Sequence, residues 1–148
     1  MTNKETILIV EDDFQIRNFI SYSLKNEGYI CKIVSTGSRA INTIANETVD
    51  LVILDLGLPD IDGIDVIRML REWSDIPIIV VSARDQDREK AYALDLGADD
   101  YLTKPFSSTE LLARIRVAMR HMKRRESVKK QSVIQVGGLS VDFEKSAT

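Results

Sequence analysis

A single cysteine, Cys31, stands in 148 residues, so no internal disulfide can brace the chain and its stability must come from a packed core. Cys31 lies in a β-type run and reads as a small buried core residue. Three prolines and seven glycines leave no room for Pro/Gly-rich low-complexity segments, and no internal repeat is visible. No apolar run approaches the ~18 residues that a membrane-spanning helix needs. Met1 to Thr6 lack the apolar core of a secretory signal, so a cytoplasmic protein without membrane contact is expected.

What is present suits one soluble domain: 44% hydrophobic and 29% charged residues, in a chain long enough to bury a core. The net charge of −3 is unevenly spread. Between Arg120 and Lys130 six cations face Glu126 alone, a local net of about +5. An acidic body followed by a basic helix end marks a boundary. The expected layout is a domain over residues 1–122, a basic linker over 123–132, and the start of something else over 133–148.

Short aliphatic runs alternate with helical patterns. Leu51-Val52-Ile53-Leu54-Asp55 is too short for a helix and is followed by Gly57 and Pro59, which predicts a strand buried on both faces. Ile7 to Val10, Ile30 to Val34, Ile78 to Val81 and Tyr101 to Thr103 are predicted strands as well. Between them lie predicted helices: one through Phe14, Ile16, Phe19, Ile20, Tyr22 and Leu24, ended by Gly28; one from about Ser38; one closing at Trp73; and one over Asp87 to Leu96, ended by Gly97. Ser107 with Glu110 three residues on predicts a capping box for a fifth helix carrying Leu111, Leu112, Ile115, Ala118 and Met119. Five β-α units in strict alternation predict an α/β fold, a doubly wound five-stranded parallel sheet of the flavodoxin-like order 2-1-3-4-5.

Ligands of such sheets sit at the carboxyl ends of the strands. The predicted order makes the first and third strands neighbours, which brings Asp12, Asp13 and Asp55 to one rim. Three carboxylates there repel one another, and a hard cation such as Mg2+, bound by oxygen alone, relieves them; solvated loop acids, or caps on the first helix, are the alternative. Ser82 and Lys104 end two further strands on the same edge. Carboxylates, a metal, a hydroxyl and an ammonium together can hold a phosphoryl group that a carboxylate has attacked.

The segments Glu11-Asp12-Asp13, Leu54-Asp55-Leu56-Gly57-Leu58-Pro59-Asp60-Ile61-Asp62-Gly63, Ser82-Ala83-Arg84 and Gly97 through Phe106 resemble, in order, the receiver domain of bacterial two-component response regulators. The resemblance spans about residues 5 to 122. It implies that Asp55 accepts a phosphoryl group from a sensor histidine kinase. It implies Mg2+ held by Asp12, Asp13, Asp55 and the backbone carbonyl of Gly57, and Lys104, before a cis Pro105, contacting the phosphoryl group. Ser82 and Tyr101 would form the switch that reports it. Within the OmpR/PhoB class of these regulators, the resemblance implies a homodimer across the fourth helix, fifth strand and fifth helix. There Lys90 would meet Glu110, Asp95 Arg116 and Asp100 Arg114, with Leu94 and Ala113 among them. The alternative for these charges is a solvated surface with pairs inside one chain. Gly57, where most receivers of this class carry a larger residue, together with Ile67 to Ser74, implies a regulator of potassium-uptake genes.

Val133 to Val136, Gly137-Gly138 and Leu139 to Phe143 read as strand, turn, strand, and resemble the opening of the winged-helix DNA-binding domain that follows such receivers. No helix-turn-helix appears before Thr148, so promoter DNA would be read only through a domain this sequence does not contain. Two other functions share the fold. A flavin-binding module would want a phosphate-cradling loop where Glu11-Asp12-Asp13 would repel it. An aspartyl hydrolase would want a further acid beside Asp55, where Leu56 and Gly57 stand.

Overall fold

The computed structural model describes the backbone of residues 5–139 and the side chains of residues 5–125. Elements alternate as predicted: β1 (Thr6–Val10), α1 (Phe14–Asn26), β2 (Ile30–Val34), α2 (Gly37–Asn46), β3 (Leu51–Asp55), α3 (Gly63–Arg71), β4 (Ile78–Ser82), α4 (Asp87–Leu96), β5 (Asp100–Thr103) and α5 (Ser108–Leu139). The strands form one parallel sheet in the order β2-β1-β3-β4-β5.

Every residue of β1, β3 and β4 is buried, which is why these strands read as unbroken aliphatic runs. Successive side chains take opposite faces. Leu8, Val10, Val52, Leu54, Ile78 and Val80 join Ala40, Val66, Ile67, Leu70 and Ala93 in the core under α2, α3 and α4. Ile7, Ile9, Leu51, Ile53, Ile79 and Val81 fill the opposite layer, where Ile20, Leu24, Leu111 and Ile115 are equally buried. Each such side chain contributes about 1.5–3 kcal/mol of burial, so the three central strands hold their carboxyl ends on a rigid base. Register then aligns those ends: Val10 lies opposite Leu54, Asp55 opposite Val81, and Ser82 opposite Thr103.

The loops at that edge are tied down. Gly63 donates its N–H to the Leu56 carbonyl at 2.9 Å. A Cβ on Gly63 would lie 2.6 Å from Leu56 Cα and 2.7 Å from the Asp55 carbonyl oxygen, so only glycine lets α3 begin this close to β3. The Asp60 carboxylate accepts from the Gly37 and Ser38 amides at 2.8 and 3.0 Å, capping α2 from another loop. Those hydrogen bonds, the Ser38 amide first and then the Gly37 amide, hold its pKa down at about 2. At the end of α4, Gly97 takes φ +125° and its successor Ala98 returns an N–H to Ala93, the left-handed stop that glycine permits.

Of the α1 residues at helical spacing, Ile20 and Leu24 are buried, while Phe14, Phe19 and Tyr22 are exposed and Ser21 and Ser23 go inside. Three expectations need correction. Cys31 is half-buried rather than core, because β2 is an edge strand covered less completely than β1. Helix α3 ends at Arg71, and Trp73 follows in a turn that is half exposed. Most notably, α5 stays helical through the predicted linker 123–132 and through residues 133–139, where strand and turn are predicted. No Pro or Gly interrupts Ser108 to Val136, helix formers dominate the basic stretch, and a two-stranded hairpin is marginal by itself. Residues 140–148 lie outside the described residues. The chain divides into two compact units, Met1–Ile115 and Arg116–Thr148; the sheet and its site belong wholly to the first.

Candidate functional site: an acidic rim at the strand ends

The carboxyl ends of β1, β3, β4 and β5 bring Glu11, Asp12, Asp55, Ser82 and Lys104 to one edge. Asp55 is 6% exposed, Ser82 2% and Glu11 1%, whereas Asp12 faces solvent. The Lys104 ammonium lies 3.3 Å from Asp55 Oδ1 and 3.1 Å from Glu11 Oε1. One carboxylate oxygen from each of Glu11, Asp12 and Asp55 falls within 4.8 Å of the others. The Lys104 amide donates to the Ser82 carbonyl at 2.8 Å, and the Lys104–Pro105 bond is cis.

Three acids against one ammonium leave the rim negative. Burial, and then the charge of Asp55, push Glu11 above the ordinary glutamate value, with the Asp13 amide and Lys104 working the other way. Burial opposes the Lys104 ammonium, but Asp55 and Glu11 outweigh it and raise its pKa. Such a site attracts a small hard cation, and its donors suit one: all are oxygens, two from buried carboxylates and one from an exposed acid beside water.

The set differs from the sequence expectation by one residue. Asp13 does not join the cluster; its Oδ1 accepts from the Gln15 and Ile16 amides at 2.9 and 3.1 Å and caps α1. The capping alternative therefore holds for Asp13, and Glu11 takes its place at the rim. Register carries the signal that was missed. With Val10 paired to Leu54, the residue after Val10 is the counterpart of the residue after Leu54, so Glu11 stands opposite Asp55. Glu11 even continues the sheet, donating its N–H to the Val34 carbonyl at 3.1 Å.

Ser82 Oγ accepts from the Arg84 amide at 3.0 Å. Tyr101 is half-buried against the core, and its hydroxyl donates to the Arg84 carbonyl at 2.8 Å. Gly57 is exposed beside Asp55 Oδ2, with nothing else within 4 Å of where a Cβ would point. Farther off, Leu94, Asp95, Glu110, Arg114 and Arg116 are exposed, and Lys90, Asp100 and Ala113 partly so. Arg114 already has partners in its own chain, Asp100 at 3.5 Å and Glu110 at 3.6 Å. Among the described residues, no helix is long and apolar enough to cross a membrane.

Comparison with known proteins agrees with this geometry. The family model described as the response regulator receiver domain matches residues 7–116. The KDP operon transcriptional regulatory protein KdpE of Escherichia coli is 52% identical over 120 residues, covering 81% of this chain and 52% of that protein. The sensory transduction protein RegX3 of Mycobacterium bovis is 39% identical over 140 residues, covering 95% of this chain and 62% of that one. The chain thus spans between half and two thirds of the length of these relatives. Among solved structures, a CheY-like receiver domain protein from Methanospirillum hungatei superposes with a TM-score of 0.78 at 27% identity, covering 83% of this chain and 99% of that one. The BeF3-activated N-terminal receiver domain of Klebsiella pneumoniae RstA superposes at 0.75 with 35% identity, covering 78% and 99%. With the fold, the acidic rim and the family match all in agreement, the chain belongs to the receiver domains of two-component response regulators.

Proposed function

We propose that this receiver takes a phosphoryl group on Asp55 from a phosphohistidine of a sensor kinase, and that the phosphorylated form dimerises to control transcription. The observation that carries the reading is the Lys104 ammonium bridging the buried Asp55 and Glu11 carboxylates beside Asp12. An Asp55 oxygen attacks phosphorus, the P–N bond of the phosphohistidine breaks, and the imidazole leaves. Lys104 neutralises charge gathering on the phosphoryl oxygens. Gly57, having no side chain, leaves the approach to Oδ2 open. Asp12 and Asp55, with the Gly57 carbonyl and with Glu11 alongside, would hold Mg2+. When bound, that ion supplies a second positive charge to the phosphoryl group. Water later releases phosphate from the acyl phosphate.

Ser82 and Tyr101 then read the event. While accepting from the Arg84 amide, the Ser82 hydroxyl keeps a proton to donate to a phosphoryl oxygen. Tyr101, on β5 of the α4-β5-α5 face, reaches that loop through its hydroxyl, which donates to the Arg84 carbonyl. The RstA receiver named above was solved in a BeF3-activated form, and beryllium trifluoride occupies the space of a phosphoryl group; the same transition is the one assigned here. The likeness to KdpE supports OmpR/PhoB-type control of potassium-uptake genes in the cytoplasm. DNA would be read by a domain beyond residue 148, with 133–148 as its approach.

The test is intact mass after treatment with a small acyl phosphate, with and without a chelator. One added phosphoryl group with magnesium and none with chelator is expected; equal labelling in both would reject the metal-assisted site. The dimer face has its own check in sedimentation of the phosphorylated chain. Glu110→Lys should set like charges against Lys90 of the partner and weaken the dimer about tenfold or more. Lys90→Glu in the same chain should restore it. The exposed Glu110–Arg114 ion pair, which the first substitution also breaks, is worth little, so failure of the rescue would count against this pairing.

A further inference from the structure

We propose that Asp62 and Arg84 form a clasp that positions the loop between β4 and α4, and through it the hydroxyls of Ser82 and Tyr101. Arg84 lays its guanidinium against Asp62, NH2 to Oδ2 at 3.0 Å and NH1 to Oδ1 at 3.4 Å. This two-pronged contact fixes direction as well as distance. Asp62 is itself immobilised. Its Oδ1 accepts from the Ile64 amide at 2.9 Å, its carbonyl accepts from the Asp65 and Val66 amides, and its neighbour Gly63 is bonded to Leu56, directly after Asp55. The clasp is therefore anchored to the strand that carries the phosphoacceptor.

At the other end, the main chain of Arg84 holds both proposed switch hydroxyls, its amide donating to Ser82 Oγ and its carbonyl accepting from the Tyr101 hydroxyl. One residue thus joins the β3–α3 loop, β4 and β5. The loop has little other side-chain anchorage: Gln86, the N-cap of α4, makes no side-chain capping bond, and Ala83 and Asp85 are exposed. A cleft of about 290 Å³ beside the pair, lined by Asp62, Ile64, Asp65, Arg84, Glu89 and Tyr92, gives the arginine room to swing away. Arg68 is not placed to substitute, since Asp65 and the Tyr92 hydroxyl hold it at 2.7 and 2.6 Å. Burial pushes Asp62 up, but the Arg84 hydrogen bond and the Ile64 amide outweigh it and hold the carboxyl below its usual value. With about a third or more of each side chain exposed, the pair adds little to global stability. Its consequence is the placement of the loop: while it is closed, Tyr101 is kept in its half-buried position.

The clasp rests on the reading of Ser82 and Tyr101 as the switch, and its test separates the two. The full chain is labelled with 3-fluorotyrosine, and the Tyr101 fluorine line is identified by its disappearance in Tyr101→Phe. Asp62→Asn keeps the cap on Ile64 but removes the charge; Arg84→Gln keeps the main chain and removes the fork. Both are expected to take a phosphoryl group on Asp55 to the parental extent. In both, the Tyr101 line should move towards that of an exposed tyrosine before any phosphodonor is added, and the phosphorylated dimer should weaken by about fivefold or more. The double variant should be no worse than either single one, because both remove the same interaction. Parental Tyr101 lines and dimer affinity in the two single variants would overturn the clasp, as would simple additivity in the double one. If the parent chain itself shows no Tyr101 response to the phosphodonor, the switch reading falls and the clasp with it.

Discussion

Asp55→Ala should take up no phosphoryl group from a small acyl phosphate under conditions that label the parent once per chain. The result is expected to be total because no other acid in the cluster can stand in. Glu11 is buried at 1% exposure, and both of its oxygens are engaged, one by Lys104 and the other by the Asp13 amide. Asp12 is exposed, and among the described residues no ammonium lies at contact distance from it; a nucleophilic carboxylate needs that charge where the incoming oxygens gather. Asp13 is turned into the first turn of α1. Only Asp55 combines an oxygen held by Lys104 with a second oxygen on the open side next to Gly57. Removing it also removes one of two opposing charges beside Glu11, so Glu11 should ionise more readily and the fold should not suffer. Peptide mapping of the parent provides the check, and full-yield labelling of Asp55→Ala at any other residue would reject the assignment.

How much of this was legible in the residues follows from what kind of signal each feature leaves. Strands β1, β3 and β4 are covered on both faces, so burial wrote itself as aliphatic runs, and strict alternation then left few topologies. Asp55 and Ser82 could be placed because each directly ends such a run, and Lys104 because it follows the short, partly buried strand β5. Asp13 and Glu11 could not be told apart by composition, since three consecutive acids offer no periodicity; only the pairing of Val10 with Leu54 separates rim from cap. The aromatic residues of α1 mark the helix but not its buried side, because spacing reports a helix without reporting which side is covered. Past Lys123 the residues from Val133 carry a strand-like pattern, yet through Leu139 they continue the helix of α5.

Replacing Lys104 by Met, which keeps the stem and removes the charge, should separate three roles that one ammonium performs. Phosphorylation of Asp55 should slow by about a hundredfold, the typical cost of losing one preorganised charge at a site of developing negative charge. Magnesium should bind at least as well as in the parent, because a competing cation has gone from beside Asp55 and Glu11. Stability should fall by on the order of 3 kcal/mol, since a buried carboxylate pair loses its counter-charge, and the loss should depend on pH with a definite sign. Glu11 already lies above its ordinary value of 4.5 through burial and the charge of Asp55; without Lys104 it rises further. A carboxyl whose folded pKa exceeds its unfolded one favours folding below the unfolded value, and that advantage disappears as pH rises through the folded one. The urea midpoint of Lys104→Met should therefore drop more steeply than the parent's as pH rises above the ordinary glutamate value. Parental labelling with an unchanged pH slope would show that the ammonium holds neither the phosphoryl group nor the buried acids. Slow labelling with an unchanged slope would confine it to the chemical step and leave the acids to be balanced by the metal.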